Sequence, residues 1–154
     1  MKIGVISDTH NFLDPKIPDL FKGAHHIPHA GDIGLPWVLA ELELVAPVTA
    51  VAGNTDDPEL HYAPSKIIEL AGRKFFIQHI VHPQDREERH QRHFADQRPD
   101  AVIFGHTHKR FCETLDGVLY LNSGYAGRPK LGLERSVAIV HCEGNGVRVE
   151  YLGL

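Results

Sequence analysis

The sequence predicts a single α/β domain built on mixed β-sheets. The chain has 154 residues, which is the usual size of one domain. Its N-terminal part alternates short apolar runs with helical patterns, which is typical of parallel strands joined by helices. Its C-terminal part contains apolar runs separated by turn residues, which is typical of antiparallel strands. We therefore expect about ten strands and about three or four helices.

Strands are predicted in the N-terminal half wherever a short apolar run stops at a polar cluster. These predicted strands cover residues 2–7, 25–30 and 48–52. A first helix is predicted over residues 15–22, with Asp14 as its N-cap and Pro15 at its first position. A second helix is predicted over residues 36–45, where apolar side chains recur at helical spacing. This alternation favours a parallel arrangement of the first strands.

The second half of the chain predicts a hairpin, a helix and a series of strands. Residues 66–70 and 74–78 flank Ala71-Gly72-Arg73 and form the hairpin. The charged run at 84–97 predicts a solvated helix. Further strands are predicted at 101–104, 110–115, 118–122, 136–142 and 147–152. Asp116-Gly117 and Gly144-Asn145-Gly146 supply turns between them.

Composition and charge exclude several classes of protein. A content of 42% hydrophobic and 23% charged residues is ordinary for a globular domain. The formal net charge of −4 disfavours a nucleic-acid-binding protein, which usually carries a basic face. Since no apolar run could cross a bilayer and no signal-peptide pattern is present, membrane association is not expected. Cys112 and Cys142 do not suggest a disulfide framework, which predicts a cytoplasmic protein.

Four short polar clusters each follow a predicted strand. They are Asp8-Thr9-His10, His29-Ala30-Gly31-Asp32, Gly53-Asn54-Thr55-Asp56 and Gly105-His106-Thr107-His108. Ligands of α/β sheets bind beyond the carboxyl ends of the strands, so these loops are expected to converge. Carboxylate, amide and imidazole groups beside glycines suit a cluster of metal ions. In an extended backbone, the first and third residues of Asp-x-His or His-x-His would point to the same side.

With these motifs the chain resembles the calcineurin-like metallophosphoesterases, and within them the small bacterial and archaeal phosphodiesterases related to the retromer subunit Vps29. The matching motifs are Asp8-Thr9-His10, Gly31-Asp32, Gly53-Asn54 and Gly105-His106-Thr107-His108, within residues 1–125. His79 follows a predicted strand and fits the remaining ligand position of the family. The resemblance implies one metallophosphoesterase domain over residues 1–154, folded as a four-layer αββα sandwich of two mixed sheets flanked by helices.

The resemblance also implies a dinuclear metal site. By motif, Asp8, His10 and His108 would bind one ion, Asn54, His79 and His106 the other, and Asp32 would bridge both. Asp32, Asn54 and His79 are the implied catalytic residues. Such mixed ligands suit transition metals better than Ca²⁺. We expect two divalent ions, with Mn²⁺ as the first choice and Fe, Zn²⁺ or Ni²⁺ as alternatives.

The implied function is metal-dependent hydrolysis of a small-molecule phosphate ester, with a phosphodiester as the expected substrate. A hydroxide that bridges the two metal ions would attack phosphorus in line, opposite the leaving oxygen. The alternative function is that of a non-catalytic, Vps29-like protein-interaction scaffold, which would keep the fold but not the turnover. The resemblance also suggests a homodimer.

The chain departs from the family pattern in three places, one of which is the family's Asn-Pro-Gly-Ser loop, here Asn122-Ser123-Gly124-Tyr125. Thr55 stands where many relatives have a histidine that protonates the leaving group, and threonine is no general acid at neutral pH. A preference for good leaving groups, such as aryl esters, is therefore expected. In the usual His-Gly-His segment, Ile80 replaces the glycine and Val81 the second histidine. The ligand from this loop is His79, which ends the strand, or else His82.

Further residues around the motifs have candidate roles at the site. Asn11 would contact the substrate or cap a helix, and Tyr125 would stack on the substrate or cover the site. Arg128 would contact phosphate through its planar guanidinium, or else lie in solvent as a surface arginine. Asp56 is expected to orient its loop or an imidazole, and His29 is expected to support the site or the fold.

Overall fold

The computed structural model describes residues 1–85, 87, 96–144 and 146–154. The strands are β1 (Lys2–Val5), β2 (Ile27–His29), β3 (Val48–Ala50), β4 (Ser65–Leu70), β5 (Arg73–Gln78), β6 (Ala101–Phe104), β7 (Arg110–Leu115), β8 (Val118–Ser123), β9 (Ser136–Glu143) and β10 (Gly146–Gly153). The helices are α1 (Ile17–Leu20) and α2 (Trp37–Glu43), and Pro58–Leu60 form a 3-10 turn. The helix predicted over residues 84–97 falls mostly outside the described residues.

The strands form two mixed sheets. In the first sheet the order is β3-β2-β1-β9-β10, where parallel bridges from Ile3 to His26 and from Ile6 to His29 join the β2–β3 pair to β1. β9 lies antiparallel to both β1 and β10. In the second sheet the order is β4-β5-β6-β8-β7, parallel from β5 to β8 and antiparallel at both edges. The predicted α/β class with mixed sheets is therefore confirmed.

The two sheets pack face to face and share one core. Alternate residues of β1, β5, β6 and β9 point into the space between them, because side chains alternate across a strand. These core residues include Ile3, Val5, Phe75, Ile77, Ala101, Ile103, Ala138, Val140 and Cys142. The intervening residues face outward, and on the first sheet they pack against Phe21 of the α1 end and Leu42 of α2. The described residues thus form a helical layer and two sheet layers of the predicted sandwich.

α1 is shorter than predicted, and Asp14 is not its N-cap. The helix begins at Ile17, and its N-cap residue is Lys16. The Asp14 carboxylate instead accepts a hydrogen bond from the Lys16 backbone N–H at 3.0 Å and pairs with Arg135 at 2.7 Å. Asp14 therefore caps the turn that precedes the helix, while its second oxygen binds Arg135, which is remote in sequence.

The order of the strands brings several carboxyl ends to the same edge of the sandwich. β1, β2 and β3 lie side by side in the first sheet, and β5 and β6 are parallel neighbours in the second. Each of these strands is followed by one of the polar segments identified in the sequence. None of the helices in the described part of the chain is long and apolar enough to span a bilayer.

Candidate metal centre

The residues implied as metal ligands come together at this edge of the sandwich. They follow β1 (Asp8 and His10), β2 (Asp32), β3 (Asn54), β5 (His79) and β6 (His106 and His108). Their side chains form two groups that meet at Asp32. Both groups contain a carboxylate and at least one imidazole, with oxygen and nitrogen atoms close to one another.

The first group consists of Asp8, His10 and His108. Nε2 of His108 lies 3.3 Å from Oδ1 of Asp8, and Nε2 of His10 lies 3.9 Å from the same oxygen. The Nε2 atoms of the two histidines face each other at 3.3 Å. Asp8 is fully buried, whereas 26% of the His10 side chain and 29% of the His108 side chain are exposed. The group is therefore open to solvent on its histidine side.

The second group consists of Asp32, Asn54, His79 and His106. Nε2 of His79 lies 3.3 Å from Oδ2 of Asp32 and 3.0 Å from Oδ1 of Asn54. The same Asn54 oxygen lies 2.8 Å from Nδ1 of His106. Oδ2 of Asp32 also lies 3.7 Å from Nε2 of His10, which belongs to the first group. Asp32 thus stands between the two groups.

Backbone groups fix the direction in which His79 points. Its Nδ1–H donates to the carbonyl oxygen of Ala30 at 2.7 Å, so Nε2 faces Asp32 and Asn54. Metal-binding histidines commonly have their second ring nitrogen held in this way. The loop that carries Ile80 therefore still delivers His79 to the site.

His82, the alternative ligand, lies elsewhere. Its exposed side chain lines a separate cavity of about 370 Å³ together with Phe104, Lys109 and Phe111. Phe104 belongs to the cluster of buried residues that includes Val102 and Tyr120, outside the core between the sheets. The structure thus brings His79, and not His82, to the candidate ligands.

The two carboxylates are held by donors from neighbouring loops. The backbone N–H of Thr55 donates to Oδ1 of Asp32 at 2.9 Å. The Ser7 hydroxyl donates to Oδ2 of Asp8 at 2.5 Å, and the backbone N–H of His106 donates to Asp8 at 3.2 Å. These bonds leave Oδ2 of Asp32 and Oδ1 of Asp8 facing the imidazoles.

The same contacts shift the pKa values of three groups. Burial raises the pKa of Asp32, but hydrogen bonds from His79 and from the Thr55 backbone outweigh it and leave that pKa well below its usual range. Burial lowers the pKa of His79, but its bonds with Asp32 and Ala30 outweigh it and raise that pKa above 6.5. The pKa of His10 is lowered, mainly by burial. Asp32 is therefore ionised and can attract a cation.

The expectation of an extended backbone at the Asp-x-His and His-x-His pairs was wrong. Positive φ angles occur at Asp8 (56°), His10 (46°), Asp32 (54°), His106 (69°) and His108 (59°). The loops turn sharply because their backbone groups bond to one another: the N–H of Asp8 donates to Gly31, and the N–H of His10 donates to Asp32. Left-handed turns, rather than extended segments, thus aim these side chains at the site.

Two glycines allow the loops to approach closely. Gly31 has a φ of +92°, and a Cβ added to it would lie 2.8 Å from Nδ1 of His79 and 2.9 Å from Cα of Gly53. A Cβ on Gly105 would overlap the Ser7 hydroxyl. A side chain at either position would therefore push apart the segments that carry the ligands.

His29 and Thr9 connect the loop after β1 with the loop after β2. The His29 imidazole accepts the Gly31 N–H at Nδ1 (3.2 Å) and donates from Nε2 to the Thr9 hydroxyl (2.9 Å), which in turn donates to the Ile33 carbonyl at 3.0 Å. His29 has no exposed surface, and burial lowers its pKa to about 3. This imidazole is therefore neutral and supports the site without facing it.

Asp56 supports the neighbouring loops. Its two oxygens accept the backbone N–H groups of Gly34 and Gly53, each at 2.8 Å. The side chain is 9% exposed and makes these bonds to two different loops. The sequence predicted that Asp56 orients its loop or an imidazole. In the structure Asp56 orients loop backbone.

Asn11 and Arg128 lie beside the site in contacts of their own. Oδ1 of Asn11 accepts hydrogen bonds from Nε1 of Trp37 at 2.7 Å and from the Leu35 N–H at 3.3 Å, so its carbonyl points to the start of α2. Arg128 is exposed, and its guanidinium carbon lies 5.1 Å from the centre of the Phe12 ring. Their contacts with substrate stay predictions.

Tyr125 packs directly on the first ligand group. Its ring centre lies 4.7 Å from that of His108 and 5.9 Å from that of His10. The side chain is only 1% exposed, and Gly127 leaves room for its hydroxyl. This position favours the covering role of Tyr125 over stacking on a substrate. No motif in the sequence pointed to Lys130, whose ammonium nitrogen lies 5.3 Å from the same ring centre.

The assembled donors fit divalent transition metal ions. Carboxylate, amide and imidazole donors converge, and the two facing Nε2 atoms of His10 and His108 would both be satisfied by one shared cation. Buried carboxylates such as Asp8 and Asp32 also require positive charge nearby.

Comparisons with known proteins agree with this chemistry. The description of the matching family model is "calcineurin-like phosphoesterase superfamily domain", and it covers residues 1–145. A probable metallophosphoesterase of Methanothermobacter thermautotrophicus is 32% identical over an alignment 162 positions long, which covers 99% of this chain and 92% of the relative. A phosphodiesterase of Methanocaldococcus jannaschii is 32% identical, with 86% of this chain and 92% of the relative covered. Vps29 of Entamoeba histolytica, solved with Zn²⁺, shares the fold with a TM-score of 0.75 at 21% identity, over 99% of both chains. The chain therefore belongs to the calcineurin-like phosphoesterase superfamily, a family of metal-dependent hydrolases of phosphate esters.

Proposed function

We propose that this protein hydrolyses phosphodiesters with two divalent metal ions held at the strand ends. The first group (Asp8, His10 and His108) would hold one ion, the second group (Asn54, His79 and His106) the other, and Asp32 would bridge them. The observation that carries the proposal is the place of Asp32, whose Oδ2 lies 3.3 Å from His79 and 3.7 Å from His10. The related phosphodiesterase of Methanocaldococcus jannaschii supports diesters as the substrate class.

When bound, two such ions would lower the pKa of a water molecule and stabilise negative charge on the phosphate oxygens. The chain's own residues orient and shield the site. Ala30 holds the His79 ring in place, and the Thr55 N–H holds Asp32. The Tyr125 ring packs against the rings of His10 and His108. The exposed parts of these two histidines face solvent, and an ester can enter the site from that side.

The charge of the site favours an anionic substrate. Asp8 and Asp32 supply the only carboxylates among the proposed ligands, so two divalent ions would leave the loaded site positive. An acidic protein with a net charge of −4 can therefore still attract a phosphate ester.

The leaving oxygen receives no help from a general acid at position 55. The Thr55 hydroxyl lies 3.5 Å from Nδ1 of His10 and cannot supply a proton at neutral pH. We therefore propose a preference for esters whose leaving group is stable as an anion, such as nitrophenyl esters.

Several finer predictions accompany this function. We propose Mn²⁺ as the working metal, with Fe, Zn²⁺ or Ni²⁺ as alternatives, and the zinc complex of the Vps29 neighbour supports a transition metal in this fold. We also propose one domain over residues 1–154, since both sheets share a core. The cytoplasmic location and the homodimer stay predictions from the sequence.

Substitution of Asp32 and His108 tests the site. In the presence of Mn²⁺, Asp32→Ala and His108→Ala should each lower the hydrolysis of bis-p-nitrophenyl phosphate by about a hundredfold or more, and metal analysis should show fewer ions per chain. His25→Ala, which removes an exposed histidine, is the matched control and should retain activity. Turnover like that of the wild type in either site variant would rule out this assignment.

The scaffold function is the second candidate, and the threonine at position 55 together with the likeness of fold to Vps29 favours it. It predicts that the wild-type protein, loaded with Mn²⁺, releases no p-nitrophenol from either the monoester or the diester. Release from the diester that depends on the metal would decide for the enzyme.

A further inference from the structure

The segment from Tyr125 to Arg135 runs past the candidate site and is anchored to the rest of the fold. The Arg135 side chain, 9% exposed, pairs with Asp14 at 2.7 Å and donates from Nε to the carbonyl of Gly127 at 2.7 Å. The Ser136 N–H donates to the carbonyl of Tyr125 at 2.9 Å. These bonds hold both ends of the segment in place.

Lys130 begins a tight turn within this segment. Its carbonyl accepts the Leu133 N–H at 3.1 Å, and Gly132 supplies the φ of +75° that the third position of a type II turn requires. The ammonium nitrogen of Lys130 lies 5.3 Å from the ring centre of Tyr125, which itself packs on His108. The cation is thus one aromatic ring away from the first ligand group.

The charge of Lys130 is not neutralised within the described part of the chain. Two neighbouring cations have acidic partners: Arg135 pairs with Asp14, and Arg110 pairs with Glu134 at 3.0 Å. A third, Arg128, lies over the Phe12 ring. Lys130 is exposed, and no described carboxylate lies within ion-pair distance of it.

We propose that Lys130 is a specificity residue, which binds a second phosphate group of the substrate beside the ester phosphate that is hydrolysed. The inference rests on the proposed function, because the metal ligands account for the phosphate under attack. Lys130 lies against Tyr125 rather than among those ligands, so it serves an anionic group next to the reacting one. Substrates with two phosphates should therefore be preferred over diesters with one.

Two esters of thymidine test this preference. The p-nitrophenyl ester of thymidine 5′-phosphate and the same ester with an added 3′-phosphate both release p-nitrophenol and differ only in the second phosphate. We expect the wild-type KM to be lower for the ester with two phosphates. Lys130→Ala should raise that KM by about three- to tenfold, with kcat and the KM of the other ester changed by less than about twofold.

Variants and ionic strength separate this role from a structural one. Lys130→Arg should keep the preference, Lys130→Gln should lose it as Lys130→Ala does, and Lys66→Ala, on an exposed position of β4, should change nothing. Added salt should weaken the wild-type preference, because exposed charges are screened. An equal loss for both esters, or unchanged KM values in Lys130→Ala, would overturn the proposal.

Failure of the proposed function can be told apart from failure of this inference. If the wild-type protein hydrolyses neither ester, calorimetry with Mn²⁺ still compares thymidine 3′,5′-bisphosphate with thymidine 5′-monophosphate. Tighter binding of the bisphosphate by the wild type, lost in Lys130→Ala, would support the role of Lys130. Equal affinity of the wild type for both nucleotides would overturn it.

Discussion

Replacement of His29 by glutamine should remove a large part of the acid sensitivity of this protein. His29 is fully buried, and burial lowers its pKa from 6.5 to about 3. The folded protein therefore keeps the imidazole neutral at pH values where the unfolded chain binds a proton. Protonation then favours the unfolded state, so the contribution of this group is complete above pH 6.5 and is lost as the pH falls from 6.5 towards 3.

The expected loss is large compared with the stability of a domain. Each pH unit between the two pKa values corresponds to about 1.4 kcal/mol. From pH 7.5 to pH 4.5, His29 should lower the free energy of unfolding by about 2.7 kcal/mol. A typical domain is stable by only about 5–15 kcal/mol.

Urea unfolding of the metal-free protein, kept in EDTA, measures this loss at both pH values. Glutamine can still donate to the Thr9 hydroxyl, and any constant destabilisation cancels when each protein is compared with itself at two pH values. The wild type should lose about 2.7 kcal/mol more than His29→Gln. His25→Gln, which replaces an exposed histidine, should behave as the wild type. Equal losses in the wild type and His29→Gln would refute the reasoning.

Three further substitutions test the leaving-group chemistry, the anchor of α1 and the packing of the site. Thr55→His should raise kcat/KM for a dialkyl phosphate by about ten- to a hundredfold relative to bis-p-nitrophenyl phosphate, and equal gains on both would contradict the missing-acid argument. Burial raises the pKa of Asp14, but hydrogen bonds from the Lys16 backbone and from Arg135 outweigh it and leave that pKa below 3.8. The ion pair with Arg135 therefore stabilises the fold above pH 3.8, and this stabilisation is lost as the pH falls below that value. Asp14→Asn should therefore lower the free energy of unfolding by about 1–3 kcal/mol at pH 7 and by less near pH 3, whereas a deficit independent of pH would count against the ion pair. Gly31→Ala should weaken Mn²⁺ binding by about tenfold in calorimetry, because the added Cβ meets His79; unchanged affinity would show that the loop yields at little cost.

The strands were largely predictable because their signals are local. β6 (Ala101–Phe104) and β7 (Arg110–Leu115) have the predicted bounds, since each is an apolar or alternating run that ends at a glycine or a turn. The polar clusters after the strands were visible for the same reason. Their convergence follows from parallel strands, whose carboxyl ends share one edge of a sheet.

Features that depend on distant parts of the chain were not predictable. The pairing of Lys2 in β1 with His141 in β9 joins opposite ends of the sequence. The ion pair between Asp14 and Arg135 is equally remote. The role proposed for Lys130 was not predictable either, because it depends on the contact of its ammonium group with the Tyr125 ring and on no sequence motif.

The left-handed backbone at the site has a consequence for how proteins of this fold evolve. Five proposed ligands hold a conformation that is unfavourable by about 1–2 kcal/mol for each residue with a side chain, a cost that glycine avoids. The site therefore opposes the stability of the fold that carries it. In a descendant no longer selected for turnover, substitution of these residues by glycine would relieve this backbone cost, while at Asp8 and Asp32 it would also remove the hydrogen bonds that hold the loops. The backbone cost would therefore favour loss of the histidines, and the bonded aspartates would be retained longer.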